Sequence, residues 1–391
     1  MRGVLKGLLR VSLLLALAMA AVALWKKDDI TRLMAVNSLF DADRIVENFS
    51  HMDRAFLTKP VPLEDAPIFE LPEGPQMPLP EGVQEWITER SVTSLVVLQG
   101  GQLVHESYHL GTGPDDRRIS WSVAKSWLSL LLGQLLAEGV IPSIDVAVSD
   151  YIPGHQSSAY DGVTLRQTLQ MMSGVAFDED YLDRNSDINR MGRAIALGGT
   201  LDGFAQGLTE RRAAPGESWQ YTSIDTHVVG QVIRSATGRT IPELLSERLF
   251  QPMGLEAEPY YLTDGEGVAF VLGGLNMTTR DYARMGLLIA QEGKWRGEPL
   301  VPADWIAQSI EASAPTPPGQ KGFGYHWWIP LGARPGEVAA RGIYGQYVWI
   351  DQTRGIVIAS NAADRAFRDA GIDAANIEMF RKIATSLETK D

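Results

Sequence analysis

Cysteine is absent from the 391-residue chain, which excludes disulfides and leaves no thiolate to act as nucleophile or metal ligand. Basic residues are the minority charge: 35 Lys and Arg against 48 Asp and Glu give a net charge of −13, the wrong sign for a nucleic-acid partner. No glycine-rich loop of the Walker or dinucleotide type occurs, so the sequence offers no cradle for nucleotide phosphates. The Gly-x-Ser-x-Gly elbow of the α/β-hydrolases is missing too. Metal patterns are equally thin. The acidic stretch FDEDYLDRNSDIN, residues 177–189, lacks the glycine at loop position six and the closing glutamate of an EF-hand, and reads as a solvated loop. There is no internal repeat and no low-complexity tract. Neither a metal nor a cofactor is expected.

What is present is an ordinary globular composition, 45% hydrophobic and 21% charged, in a chain long enough to bury a sizeable core. The N-terminus departs from it. Arg2, Lys6 and Arg10 precede an apolar run from Val11 to Trp25 broken only by Ser12. This is the design of a signal peptide, cleavable after Ala18-Met19-Ala20, or of an uncleaved signal anchor over residues 1–27. The anchor is the preferred expectation, because the apolar stretch continues past the cleavage site. Either version places the rest of the chain outside the cytoplasm, on the periplasmic side, held at the membrane or secreted after cleavage. Residues 28–81 then read as a stalk or a segment packed on the domain, with a short helical pattern followed by a proline-rich lead-in at Pro60, Pro62, Pro67, Pro72, Pro75, Pro78 and Pro80.

The remaining stretch, 82–391, has strands at both ends and helices between. TSLVVLQGGQLVHESYH reads as a β-hairpin turning at Gly100-Gly101. A helix starting near Ser122 is apolar almost all round, so it belongs in the centre of the domain. A mostly helical subdomain follows from about 141 to 278, then a helix over TTRDYARMGLLIAQEG capped by Thr279 or its neighbour. FGYHWWIP, GQYVWID and GIVIAS read as three strands, and a helix over about 372–387 closes the chain. That order implies an α+β layer fold whose antiparallel sheet joins distant segments and is flanked by helices.

One local oddity points to chemistry. In ISWSVAKSW a lysine stands in the first turn of the central helix, where the helix dipole disfavours a cation and where a capping box would place Glu or Gln. The spacing puts the Ser122 hydroxyl and the Lys125 amine on one face, a turn apart. A serine needs a base to become a nucleophile. A lysine serves if burial and the helix N-terminus depress its pKa from the reference ~10.4. The Ser122 backbone N–H is then one oxyanion donor. Read alone, Ser-x-x-Lys is a weak signal: Ser122 can simply cap the helix while Lys125 reaches solvent.

Further along, the chain carries Tyr221-Thr222-Ser223 ahead of a helical pattern and a glycine beside a C-terminal strand in RGIYGQYVWID. In this order the motifs resemble the penicillin-recognising serine hydrolases, in particular their class C β-lactamase branch, and FDEDY, GYHWWIP and GIYGQ are most similar to the 6-aminohexanoate-dimer-hydrolase-like members. The resemblance spans about residues 82–388. It implies a β-lactamase-like fold, with Ser122 as acylated nucleophile, Lys125 as its base and Tyr221 as proton shuttle to the leaving group. Ser223 takes the third position of the Tyr-x-Asn/Ser motif on the substrate side, where it can equally cap a helix. Tyr181 resembles a loop tyrosine that contacts an amide substrate, and an exposed loop tyrosine is the plainer reading.

The last motif departs from the pattern. Where the family carries Lys-Thr-Gly, this chain has Ala340-Arg341-Gly342, with the Ile343 N–H as second oxyanion donor; a register on Gly345 would give Gln346 instead. Neither register supplies a lysine, which argues against antibiotic hydrolysis. The expected activity is therefore hydrolysis of a small-molecule ester or amide through an acyl-enzyme. The rivals are a true β-lactamase or D-alanyl-D-alanine peptidase, and a catalytically silent ligand sensor.

Overall fold

The computed structural model describes residues 2–388, with only the backbone described for residues 2–5, 16, 18, 20–24 and 28. Seven antiparallel strands form the main sheet: β1 (Val92–Gln99), β2 (Gln102–Tyr108), β3 (Gly322–Phe323), β4 (Trp328–Ile329), β5 (Glu337–Gly342), β6 (Gln346–Asp351) and β7 (Ile356–Ala362). Their order is β2-β1-β7-β6-β5-β4-β3, so the first hairpin joins the C-terminal meander through the β1–β7 pair. The hairpin turns at Gly100 and Gly101, both at positive φ, as a two-residue connection between right-twisted strands requires. Strand β1 reads as a continuous apolar run because both faces are covered. Leu95 and Val97 face a cluster with Trp86, Ile377 and Phe380, while Val96 and Leu98 face the main core.

The helices that frame the sheet and the site are α1 (Arg2–Trp25), α2 (Lys27–Asn37), α3 (Ala124–Ala137), α4 (Asp187–Ala196), α5 (Ser223–Thr237), α6 (Thr279–Ala290) and α7 (Ile372–Ser386). Helix α6 lies across β1, β6 and β7, and Thr278, the neighbour of Thr279, caps it by accepting from the Asp281 N–H. Helix α7 covers the opposite face. Buried from Ala124 to Leu135, α3 runs through the middle of the molecule. Gly133 makes this possible, since a Cβ there would lie 2.1 Å from the Trp305 ring.

The region 141–278 contains helices but also the strands Tyr260–Thr263 and Leu275–Met277, which join Leu57–Pro60 and Arg118–Ile119 in a second, four-stranded sheet. Leu57–Pro60 is an edge strand, so a proline at its end breaks no ladder inside the sheet. The segment before it packs on the domain, with Ile45, Phe49 and Met52 buried. The expected membrane-spanning helix finds no support: among the described residues no helix is long and apolar enough to cross a membrane. The apolar N-terminal segment is nevertheless helical, and Leu8, Leu9, Val11 and Leu13 on α1 are all exposed.

Candidate active site

A short 3₁₀ turn, Trp121–Val123, feeds the chain into α3 and sets Ser122 at its mouth. The Ser122 hydroxyl caps nothing. It accepts instead a 2.9 Å hydrogen bond from Lys125 Nζ, whose second bond goes to the Leu272 carbonyl at 2.5 Å. Lys125 is 2% exposed and does not reach solvent. Burial lowers its pKa to about 7, against the opposing pull of the Glu179 carboxylate. Part of the amine is therefore neutral at physiological pH. His326, buried beside Lys125, is a far weaker base than the amine, because burial and the Lys125 charge lower its pKa to about 3.

Tyr221 comes from the segment before α5. Its ring stacks on Trp328 with centroids 5.4 Å apart, and Lys125 Nζ sits 5.5 Å from the Tyr221 centroid. Burial raises the phenol, the Glu179 charge adds to that, and the Ser122 and Ser223 hydroxyls oppose it. Ser223, the first residue of α5, does not cap that helix with its side chain. Its hydroxyl donates to Glu179 Oε1, and its backbone N–H donates to Glu179 Oε2 at 2.9 Å. Tyr181 is half-buried rather than exposed, and its hydroxyl also donates to Glu179 at 2.5 Å. Sequence reasoning passed over Glu179, although it stands in the quoted FDEDY. An anion at the start of α5 is where the helix dipole favours it. Its neighbours in the acidic loop serve backbone turns: Asp178, Asp180 and Asp183 accept from N–H groups two residues on.

The glycine register resolves on geometry. Gly342 ends β5 against the nucleophile turn, where a Cβ would meet the Ser120 carbonyl at 2.6 Å and the Ser122 nitrogen at 3.1 Å. Gly342 and Ile343 line a cleft with Ser122, Tyr181 and Tyr221. Gly345 sits at φ 84° in the β5–β6 turn against Ala362, and neither it nor Gln346 is among the residues lining that cleft. The strand lysine is absent as the sequence reads, but the cleft holds cations that come from Arg341 and from outside the motif. Lys321, just before β3, and Arg341 both line it, and both pair with Asp373, at 2.6 and 2.7 Å. Burial foremost, and then Arg341, lower Lys321 to about 8. Ala340 is fully buried in the core, so a lysine at that position would not open onto the cleft. No sequence motif marks Lys321, because it reaches the site from the far edge of the sheet.

A serine hydroxyl, a buried amine and a phenol converge where a central helix starts, beside an antiparallel sheet. The chain belongs to the beta-lactamase family, whose family model matches residues 83–378. It is 29% identical over 323 residues to the 6-aminohexanoate-dimer hydrolase of Paenarthrobacter ureafaciens, covering 79% of this chain and 80% of that protein. A candidate 6-aminohexanoate-dimer hydrolase from Bacillus anthracis has a similar structure, with a TM-score of 0.79 at 23% identity over 90% of this chain and 96% of the other. A family VIII carboxylesterase superposes with a TM-score of 0.58 at 16% identity, covering 79% and 99% of the two chains.

Proposed function

We propose that the protein hydrolyses an ester or amide through an acyl-enzyme on Ser122. The observation that carries this reading is the buried Lys125 amine, 2.9 Å from the Ser122 hydroxyl with its pKa brought down to about 7. The neutral amine takes the hydroxyl proton as Oγ bonds to the carbonyl carbon. The Ser122 and Ile343 N–H groups receive the oxyanion. Collapse breaks the bond to the leaving alkoxide or amine, which takes a proton through Tyr221, and water then cleaves the acyl-enzyme by the same path in reverse. A ligand sensor would have no use for the amine, phenol and hydroxyl together. A fluorophosphonate probe tests the assignment directly: wild type should label at Ser122, and Ser122→Ala should not. Labelling of the alanine variant at another serine would refute it.

A β-lactam or D-alanyl-D-alanine substrate is the second reading, favoured by the Lys321–Arg341 pair at the cleft. Asp373 neutralises part of that charge, which leaves a substrate carboxylate with weak compensation for its desolvation. Turnover of simple esters should therefore exceed that of cephalosporins. Equal kcat/KM for the two would favour the second reading. For localisation we propose the extracytoplasmic side, with α1 as anchor, supported by the basic residues Lys6 and Arg10 ahead of the apolar run.

A further inference from the structure

Two recesses meet at Ser122. One is the polar cleft with Tyr221, Lys321 and Arg341; the other is an apolar cavity of about 420 Å³. Ser122, Tyr181 and Ile343 line both. The apolar cavity falls within the usual size of small-molecule sites, about 300–1,000 Å³. Its walls include Leu39 and Phe40 from the N-terminal segment, Ile188 and Ile195 from α4, and Phe270 and Leu272 from the segment whose carbonyl holds Lys125; Asn37, Arg184, Asn189 and Arg193 supply its polar lining. Leu182 stands at the lining with 77% of its surface exposed, an apolar side chain with no cover from the protein. The N-terminal wall lies outside the residues matched by the family model, which begin at 83.

Resting on the Ser122 reading, we infer that this cavity binds the acyl part of the substrate, and that the acyl part is an aliphatic chain. The side follows from Tyr221. The group that protonates the leaving atom lines the polar cleft and not the apolar cavity, so the leaving alcohol or amine lies towards Tyr221. With Ser122 Oγ and the Ile343 N–H fixing the carbonyl between the two recesses, the other substituent of that carbonyl enters the apolar cavity. That substituent stays attached through both steps: the carbonyl–Oγ bond forms as the leaving-group bond breaks, and water later breaks the carbonyl–Oγ bond and releases the chain as a carboxylic acid. The cavity is therefore filled in the acyl-enzyme as well.

The test is a series of p-nitrophenyl esters from acetate to decanoate, with the leaving group constant. For wild type, kcat/KM should rise by about fourfold for each added methylene until the cavity is full. Gly192→Leu provides a blocking variant. Gly192 lines the cavity in mid-α4, and a Cβ there meets nothing within 4 Å, so the leucine has room and replaces a poor helix former. It should end the rise at a shorter chain and lower the decanoate-to-acetate ratio at least tenfold. A wild-type series that is flat or falls from acetate, with fluorophosphonate labelling of Ser122 intact, would overturn the chain-binding inference and leave the nucleophile standing. An unchanged profile in Gly192→Leu would overturn it too. Absence of labelling and of hydrolysis of every ester would remove the Ser122 reading and this inference with it.

Discussion

Lys125 shows how a single residue sets both activity and its cost. If the neutral amine is the base, kcat/KM should rise with pH about tenfold per unit below about 7 and level off above it, because protonation removes the base. Glu179 favours the charged amine, so Glu179→Gln should move that limb to lower pH; a pH–rate profile of the two proteins decides this. Lys125→Ala should slow acylation by about 10²–10⁴ or more, read by stopped-flow. The same depressed pKa works against the fold. Between the unfolded value near ~10.4 and about 7, the unfolded chain holds a proton that the native state has shed, so this group destabilises the fold increasingly as pH falls through that window and by a constant amount below it. Lys125→Met should accordingly raise the thermal midpoint near neutral pH while abolishing turnover, with the Leu272 carbonyl left unpaired as a partial offset. A midpoint that falls would show that the lysine's hydrogen bonds outweigh its desolvation.

Among the elements, β5 carries the most function for the least sequence signal. Of its residues Glu337–Gly342 only Val338 is a strong strand former, so it was legible only as a glycine beside a strand. Strands β1, β6 and β7 were plain because their β-branched and aromatic runs suit a sheet covered on both faces. FGYHWWIP read as one strand but is two short ones, because His326 takes φ 65° between them. Ser122, Lys125, Tyr221 and Ser223 were legible because each lies in a local motif. Glu179, Lys321 and Asp373 were not, because only the packing of remote segments brings them to the cleft. Substitution separates the two glycines of this region. Gly342→Ala should push β5 away from the Ser120 carbonyl and misplace the oxyanion donor, lowering kcat by about 10²–10³ as well as the melting temperature. Gly345→Ala should lower only the melting temperature, since φ 84° strains any side chain, and should spare kcat. Equal effects of both on kcat would return the register to question.

For the whole molecule, the N-terminal segment contributes at two levels. If α1 anchors the protein, fractionation should recover it with membranes and intact-mass analysis should find Met1 or residue 2 at its start. A soluble product beginning at residue 21 would show cleavage instead. Beyond α1, Phe40 stacks on Tyr344 at 5.0 Å and Phe49 packs edge-on against Trp121 at 5.6 Å, so this segment braces the residues next to Ile343 and Ser122. Trimming the lead-in back to residue 83 should therefore cost activity even where the domain still folds, as kcat on an acetyl ester would reveal. The β1–β7 pair has a consequence in time rather than space. Thr93 bonds to the Asn361 carbonyl 268 residues further along, inside the sheet on which everything else is packed. During synthesis the first strand can pair with β2 at once, but its other edge must wait until almost the entire polypeptide has left the ribosome. The main sheet of such a chain closes only when its last strand appears, so its order of assembly is set by the final tenth of the sequence.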